Sequence, residues 1–276
     1  MSGRIFAALS PFLLAGCSAA AGPAGSAQHP TIVSLNPCSD AILVEVADPA
    51  QLLAISHYSH NPAATSLDLA VARRFRSVGD AAEEAFALHP DVIVASTYLA
   101  PSTRAAFARM GLRVEQLGVA SSVAESRAQV RQLAALAGHP ERGEALIARI
   151  DAALRAARPG DGREVGAVVW QSGGIVAGQG TLITDLMARA GFANLAAQRG
   201  LRQADHLPLE ELLADPPQLI LTAGSAAAQE DRMLRHPALA ALRQTRRERL
   251  DPRLLYCGGP TIVPAMARLA EVRRGL

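Results

Sequence analysis

From residue 31 onward, short apolar runs alternate with stretches of helical periodicity, and this alternation constrains the fold more than any other feature of the chain. The apolar runs of the first half are residues 31–35, 52–56, 92–95 and 113–117. The pattern restarts with further runs at residues 165–170, 218–222 and 254–256. Strand and helix patterns in this order are typical of α/β units around a mainly parallel sheet. The sequence therefore predicts two α/β lobes.

The segment between the lobes has apolar positions at helical spacing on both sides of Gly138-His139-Pro140. We predict two consecutive helices here. Ser122 and Glu125 fit a capping box at the first start, and Pro140 suits the first turn of the second helix. The predicted boundaries are residues 30–121 for the first lobe, 122–158 for the helical linker and 159–276 for the second lobe.

The two lobes repeat one local pattern. Glu83 stands seven residues before Pro90, and Glu210 stands seven residues before Pro217; each proline leads into a buried apolar run. An internal duplication explains this echo. The alternative is that helix, proline and strand form a common α/β junction.

The N-terminus has the composition of a secretory signal. Arg4 precedes an apolar run over residues 5–14 that is too short to span a bilayer of ~30 Å. The run ends in Leu-Ala-Gly-Cys, which resembles the lipobox of bacterial lipoproteins, so we expect residues 1–17 to target the chain and Cys17 to carry a lipid. The alternative is an ordinary signal peptide, with Cys17 removed. Residues 18–29 are rich in Ala, Gly and Ser and predict a flexible tether.

Composition and motifs argue against two other classes of function. The formal net charge of +2 and the scattered arginines do not indicate a nucleic-acid partner. The sequence contains no Gly-x-Ser-x-Gly, Ser-x-x-Lys, His-Glu-x-x-His or phosphate-loop motif. An extracytoplasmic hydrolase is therefore the weaker alternative, and we expect no enzyme.

The order and spacing of several motifs resemble the substrate-binding proteins of ABC importers for vitamin B12, haem and ferric siderophores. The motifs are TIVSLNP at residues 31–37, LHPDVIV at residues 88–94, and the helical segment between the lobes. The resemblance implies two Rossmann-like lobes joined by a single long helix, with a ligand in the cleft between them. It also implies a periplasmic protein that delivers its ligand to a permease dimer. We expect this protein to be monomeric and attached to the membrane by its lipid alone. In this family one acidic residue per lobe meets arginines of the permease; Glu83 and Glu210 match those positions, with Glu84 and Glu211 as alternatives.

In α/β lobes, ligands meet the loops at the carboxyl ends of the strands. This rule selects as candidate ligand-binding residues Asn36, Cys38, His57, Tyr58, His60, Tyr98, Trp170, Gln171, Gly173, Tyr256 and Cys257. The set includes the only tryptophan and all three tyrosines, which favours a flat conjugated ligand such as a corrin or porphyrin. We expect a cobalt or iron chelate as cargo, with no resident cofactor. The scarcity of arginine in these loops favours a corrinoid over an anionic siderophore.

Two details of this set leave alternatives open. The His57 to His60 segment suggests a bare zinc or manganese site, but such sites need about four ligands from separate segments, and we expect hydrogen-bonding loop histidines instead. Cys38 and Cys257 lie in cleft loops of opposite lobes. They can form a disulfide, remain thiols that contact a metal centre, or be buried as small apolar groups.

Overall fold

The computed structural model describes residues 29–224, 236–255 and 257–276. The predicted signal segment with Cys17, the tether as far as residue 28, and Tyr256 lie outside the described residues. The described part forms two α/β lobes, as the alternation of apolar runs predicts.

The first lobe is built on a five-stranded parallel sheet. Its strands are β1 (Ile32–Ser34), β2 (Leu52–Ser56), β3 (Ser77–Val78), β4 (Val92–Ser96) and β5 (Arg113–Leu117), in the order β3-β2-β1-β4-β5. Its helices are α1 (Pro37–Val46), α2 (Leu69–Ala72), α3 (Ala82–Phe86) and α4 (Pro101–Arg109). The strand order reverses between β1 and β4, the position where doubly wound sheets leave a crevice.

Two helices, α5 (Val123–Ala137) and α6 (Pro140–Ala156), form the linking segment. The Ser122 hydroxyl accepts the Glu125 N–H at 3.1 Å, as the predicted cap requires. Gly138 ends α5 in the left-handed conformation, at a φ of 82°. The resemblance implied one continuous helix. The structure has a pair, because the left-handed glycine and Pro140 interrupt the helical backbone.

The second lobe has a six-stranded mixed sheet. Its strands are β6 (Val165–Gln171), β7 (Ile175–Ala177), β8 (Phe192–Asn194), β9 (Gln203–His206), β10 (Leu219–Ala223) and β11 (Arg246–Arg249). The order is β11-β10-β6-β7-β9 with β8 also paired to β6, and β7 is antiparallel to both of its neighbours. Its helices are α7 (Leu182–Arg189), α8 (Leu195–Gln198), α9 (Leu209–Ala214), α10 (Pro237–Ala241) and α11 (Ile262–Arg274).

One predicted strand is wrong. Residues Pro252–Leu255 form a 3-10 turn, and the last strand of the sheet is β11, earlier in the chain. The strand β11 has the sequence Arg-Arg-Glu-Arg and pairs in parallel with β10 at the edge of the sheet. Charged residues are common on edge strands, and this strand has no apolar pattern to reveal it.

The largest cluster of buried apolar side chains runs through both lobes. It includes Ile42 of α1, Val130 of α5, Ile150 of α6, Leu186 of α7 and Met266 of α11. The helices between the sheets thus share one core, which resists relative motion of the lobes. Within the residues that the structure describes, no helix combines the length and apolarity needed to cross a lipid bilayer.

Candidate functional site

A cleft opens where the strand order of the first sheet reverses. The chain leaves β1 through Leu35–Cys38 and leaves β4 through Ser96–Tyr98, and both segments line a cavity of about 350 Å³. A second cavity of about 390 Å³ is lined mainly by the second lobe. Both cavities include Val119 and Ala120 in their walls, so they adjoin across this pair of residues. Each volume lies within the range of small-molecule sites.

The first-lobe wall carries two exposed aromatic rings. Tyr58 is 42% exposed and Tyr98 is 81% exposed, whereas the large apolar side chains of the lobe cores are buried. Below them, the Asn36 side chain accepts the Cys38 N–H at 2.9 Å and caps α1, so Asn36 is held by the helix start. Exposed aromatic rings at a cavity mouth provide area for a conjugated ligand to stack on.

Tyr58 is presented by a 3-10 turn, His57–His60. The His57 and Tyr58 rings are 4.0 Å apart and tilted by 36°. His60 points elsewhere, since its Nε2 lies 3.1 Å from the carbonyl oxygen of Ala72 in α2. His60 is thus hydrogen-bonded within the fold, and neither His57 nor His60, which were predicted to bind ligand, lines either cavity.

Asp40 of α1 lies beneath this turn. It is fully buried, and its Oδ2 accepts the Ser56 N–H at 3.0 Å and the Ser59 hydroxyl at 2.5 Å. Burial raises the pKa of the Asp40 carboxyl to about 7, against the opposing effects of the Ser34 hydroxyl and of the hydrogen bonds from Ser59 and Ser56. Sequence reasoning missed Asp40, because nothing in its local pattern distinguishes it from an ordinary acidic residue in a first helical turn.

Cys38 and Cys257 form a disulfide, with their Cα atoms 5.0 Å apart. Of the three possibilities that the sequence left open, the structure therefore has the disulfide. The bond lies in the wall of the first cavity and ties α1 to the segment that follows the second sheet. The same segment docks on the helices: the Gly259 N–H donates to Ser126 Oγ at 2.7 Å, and Gly259 has a φ of 58°. A Cβ at Gly259 would lie 2.6 Å from Ile42, so only glycine permits this approach.

The second-lobe wall differs from the prediction at Trp170. Trp170 has no exposed surface and packs against Val168 and Val176 in the core on the outer side of the sheet. Its placement at the cleft rim is therefore wrong. Successive side chains of a strand face opposite sides of the sheet, and it is the next residue, Gln171, that lines the second cavity. Gly173 is exposed in the following turn, at a φ of 71°, and lines neither cavity.

Most of the second-lobe wall is apolar and was missed by the search for polar and aromatic residues. Its contributors include Ile175, Leu182 and Leu255. Val119 and Ala120 were also missed, although they follow the end of β5 and the strand-end rule selects them. Among the described residues, no charged side chain lines either cavity, and no group of three or more His, Cys, Asp or Glu residues is arranged to hold a metal ion.

The repeated acidic pair lies outside the cleft. Glu83 in α3 and Glu210 in α9 are exposed, as are the alternative residues Glu84 and Glu211. Glu84 differs from Glu83, because its carboxylate accepts the Gly79 N–H at 2.9 Å. Glu83 therefore carries the freer carboxylate of the first lobe.

Comparisons with known proteins place this geometry in context. A family model described as periplasmic binding protein matches residues 32–254. The solved structure of the periplasmic heme-binding protein RhuT from Roseiflexus sp. RS-1, in apo form, is similar with a TM-score of 0.71 and 23% identity, over 90% of this chain and 99% of that chain. A periplasmic heme binding protein from Pseudomonas aeruginosa has a TM-score of 0.67 and 25% identity, over 88% and 92%. The periplasmic vitamin B12 binding protein BtuF of Vibrio cholerae has a TM-score of 0.65 and 18% identity, over 89% and 98%. No match was found among curated protein sequences.

Proposed function

Because this chain belongs to the periplasmic binding protein family, we propose that it is the substrate-binding component of an ABC importer and captures a cobalt or iron chelate in the cleft between its lobes. Membership of the family places the protein outside the cytoplasm. Its role is to bind and deliver, and we expect no chemical turnover of the cargo.

The observation that carries the proposal is the composition of the cleft. Tyr58 and Tyr98 stand exposed in the wall of one cavity, and an apolar wall that includes Ile175 and Leu182 lines the adjoining one. Apolar and aromatic surfaces in two adjoining cavities of this size suit a broad ring system with limited charge. A bare zinc or manganese ion would instead need several converging carboxylate, imidazole or thiolate ligands.

Within the chelates, we favour a corrinoid. Neither cavity has a charged side chain among the described residues in its wall, so nothing there pairs with the carboxylates of an anionic cargo. Haem is the second candidate, because two of the similar structures named above are periplasmic haem binders. A ferric siderophore has less support from the cleft.

The partner is a permease dimer, and we propose Glu83 and Glu210 as the docking pair. They occupy equivalent positions in the two lobes: α3 precedes β4, the neighbour of β1, while α9 precedes β10, the neighbour of β6. One exposed carboxylate on each lobe matches a two-fold symmetric surface with a basic group in each half. Exposed charges of this kind mainly steer encounter and fix the register of docking.

We further propose that the chain acts as a monomer, held to the membrane by a lipid on Cys17. The lipobox carries this part of the proposal. Expression of the full-length chain and of Cys17→Ala, followed by detergent-phase partitioning, tests it. The native chain should enter the detergent phase and the variant should not; equal partitioning of the two would exclude the anchor.

The cargo is tested by calorimetry with cyanocobalamin, haemin and a ferric hydroxamate. We expect cyanocobalamin to bind with a Kd below about 10 μM, a binding free energy of about 7 kcal/mol. Tyr58→Ala and Tyr98→Ala should each weaken binding about tenfold, since each removes a stacking surface. Phe86→Ala is the matched control, because Phe86 is 39% exposed but lies outside both cavities.

The outcomes separate the candidates. Binding of haemin in preference to cyanocobalamin would select the second candidate. Failure of all three chelates to bind below about 10 μM would refute chelate capture, and an equal loss in the Phe86 variant would remove the two tyrosines from the site.

A further inference from the structure

The carboxyl group of Asp40 is attached to the cleft through the turn that presents Tyr58. Oδ2 accepts a hydrogen bond from the backbone N–H of Ser56, directly before the turn, and another from the hydroxyl of Ser59 within it. Tyr58 lies between these two anchor points. Any change in the Asp40 carboxyl is therefore transmitted to both sides of the residue that lines the cavity.

The other oxygen of this carboxyl is poorly satisfied. Oδ1 of Asp40 is buried without a hydrogen-bond partner. The Ser34 hydroxyl lies close enough to the carboxyl to lower its pKa, but its hydrogen bond goes to the carbonyl oxygen of Asn36, at 3.4 Å. A buried carboxylate oxygen without a donor is costly, whereas a protonated carboxyl places no net charge there. The closed turn thus suits the neutral acid better than the anion.

Neighbouring charges do not change this preference. The turn packed on Asp40 contains His57 and His60, and His60 is hydrogen-bonded to the carbonyl oxygen of Ala72. The strands β1 and β2 and the turn Gly259–Thr261 contain no charged residue. Charged side chains of the adjoining helices pair with one another: Glu45 with Arg149, Asp48 with Arg142, Asp151 with Arg127, and Glu144 with Arg131. Burial raises the pKa of Asp40, the Ser34 hydroxyl and the hydrogen bonds from Ser59 and Ser56 lower it, and none of these charged groups is among the causes of the shift.

We propose that Asp40 is a proton-dependent positioning residue: protonated, it holds the His57–His60 turn closed and Tyr58 in the cleft, and ionised, it favours an open turn in which water reaches the carboxylate. The consequence for cargo affinity rests on the proposed function. The consequence for the turn itself does not, because it follows from the contacts of Asp40 in the ligand-free protein.

Linkage fixes the direction and size of the effect. A group that binds its proton more tightly in the closed state makes opening easier as pH rises, by about tenfold per pH unit between its exposed and buried pKa values. For Asp40 the buried value is about 7. Between pH 5.5 and 8.5, opening of the turn should become about 30-fold more frequent and level off above pH 7.

The test compares the native protein with Asp40→Asn, which keeps the shape but cannot ionise, and with Ser39→Ala. Ser39 is the matched control, because it is equally buried beside Asp40 and its hydroxyl has no partner. Hydrogen exchange of the amides of residues 57–60 is measured on ligand-free protein at each pH. Relative to Asp40→Asn, protection in the native protein and in the Ser39 variant should fall by about 30-fold over this range.

Cyanocobalamin and haemin affinities are measured over the same range. The affinity of the native protein relative to that of Asp40→Asn should fall as pH rises, because fewer molecules have Tyr58 in place. Exchange that changes as expected while neither chelate binds would refute the proposed cargo and leave the role of Asp40 intact. Exchange ratios that stay within twofold at all pH values would overturn the inference. If Asp40→Asn does not fold, the exchange rates of residues 57–60 in the native protein are divided by those of the β4 amides. A ratio that does not change with pH would then also overturn the inference.

Discussion

The disulfide between Cys38 and Cys257 provides the strongest single test of how the two halves are held together. The perturbation is the double replacement Cys38→Ser and Cys257→Ser. The bond closes a loop with a sequence separation of 219 residues, nearly the whole described chain. A cross-link of this span removes much of the conformational freedom of the unfolded chain, so its loss should stabilise the unfolded state.

The magnitude follows from the loop length. The chain-entropy relation gives about 5 kcal/mol at 25 °C for a loop of this size, and measured values for disulfides are typically 2–4 kcal/mol. We therefore expect the double variant to lose about 2–5 kcal/mol of unfolding free energy. The folded cleft should change little, because Gly259 remains bonded to Ser126 and Thr261 to Ser66 at 2.8 Å. Chelate affinity should accordingly stay within about threefold.

The assay is urea unfolding of the native protein and the double variant, each with and without dithiothreitol. Dithiothreitol should destabilise only the native protein, and mass spectrometry after alkylation should show two more labels in the reduced native chain than in the oxidised one. A loss below about 1 kcal/mol would refute the loop-entropy reasoning. A large loss of chelate affinity with little loss of stability would show that the bond shapes the cleft instead.

Three further predictions concern separate parts of the molecule. The double variant Glu83→Gln and Glu210→Gln should associate with the permease about tenfold more slowly at low salt, as measured by surface plasmon resonance, with no change in chelate affinity. An equal effect of Glu84→Gln, whose carboxylate is hydrogen-bonded within the chain, would contradict the assignment. Trp170→Phe should lower the unfolding free energy in urea by less than about 1.5 kcal/mol, because the indole Nε1 is buried without a partner. Trp170→Ala should lower it by about 3–5 kcal/mol. A threefold loss of chelate affinity in the phenylalanine variant would contradict the position of Trp170 in the core, away from the cleft. Because burial raises the pKa of Asp40 to about 7, the stability it contributes is present at low pH and lost as pH rises. The native unfolding free energy should therefore fall relative to that of Asp40→Asn by about 3 kcal/mol between pH 4 and 7; a difference that does not vary with pH would contradict this.

The sequence predicted the parts of the fold that are encoded by apolar periodicity. The buried strands β1, β2, β4, β6 and β10 lie where their apolar runs indicate, because a strand covered on both faces must be apolar throughout. The charged edge strand β11 has no such constraint and was missed. A local apolar pattern indicates that a strand is buried, whereas an edge strand is defined by its hydrogen bonds to the neighbouring strand.

The cleft was predictable in position but less so in detail. The strand-end rule located Tyr58, Tyr98 and Gln171 in cavity walls, since it depends only on topology. It failed at Trp170 because a shift of one residue along a strand exchanges the two faces of the sheet. It had no means of finding Asp40, whose importance arises from a tertiary contact with a segment 16 to 19 residues away.

The way the chain returns to the first lobe bears on how such a cleft can work. After the second sheet, the segment from Cys257 to Thr261 crosses back to α1 and α5 and is fixed there by a disulfide, a hydrogen bond and a close glycine contact. The lobes are therefore connected at two places, through the helix pair and through this segment, and they share one apolar core. Large hinge closure would have to break these contacts, so recognition must rely on a preformed cleft in which small elements adjust. The His57–His60 turn is such an element, because its hold on the fold passes through one buried carboxyl group that can gain or lose a proton.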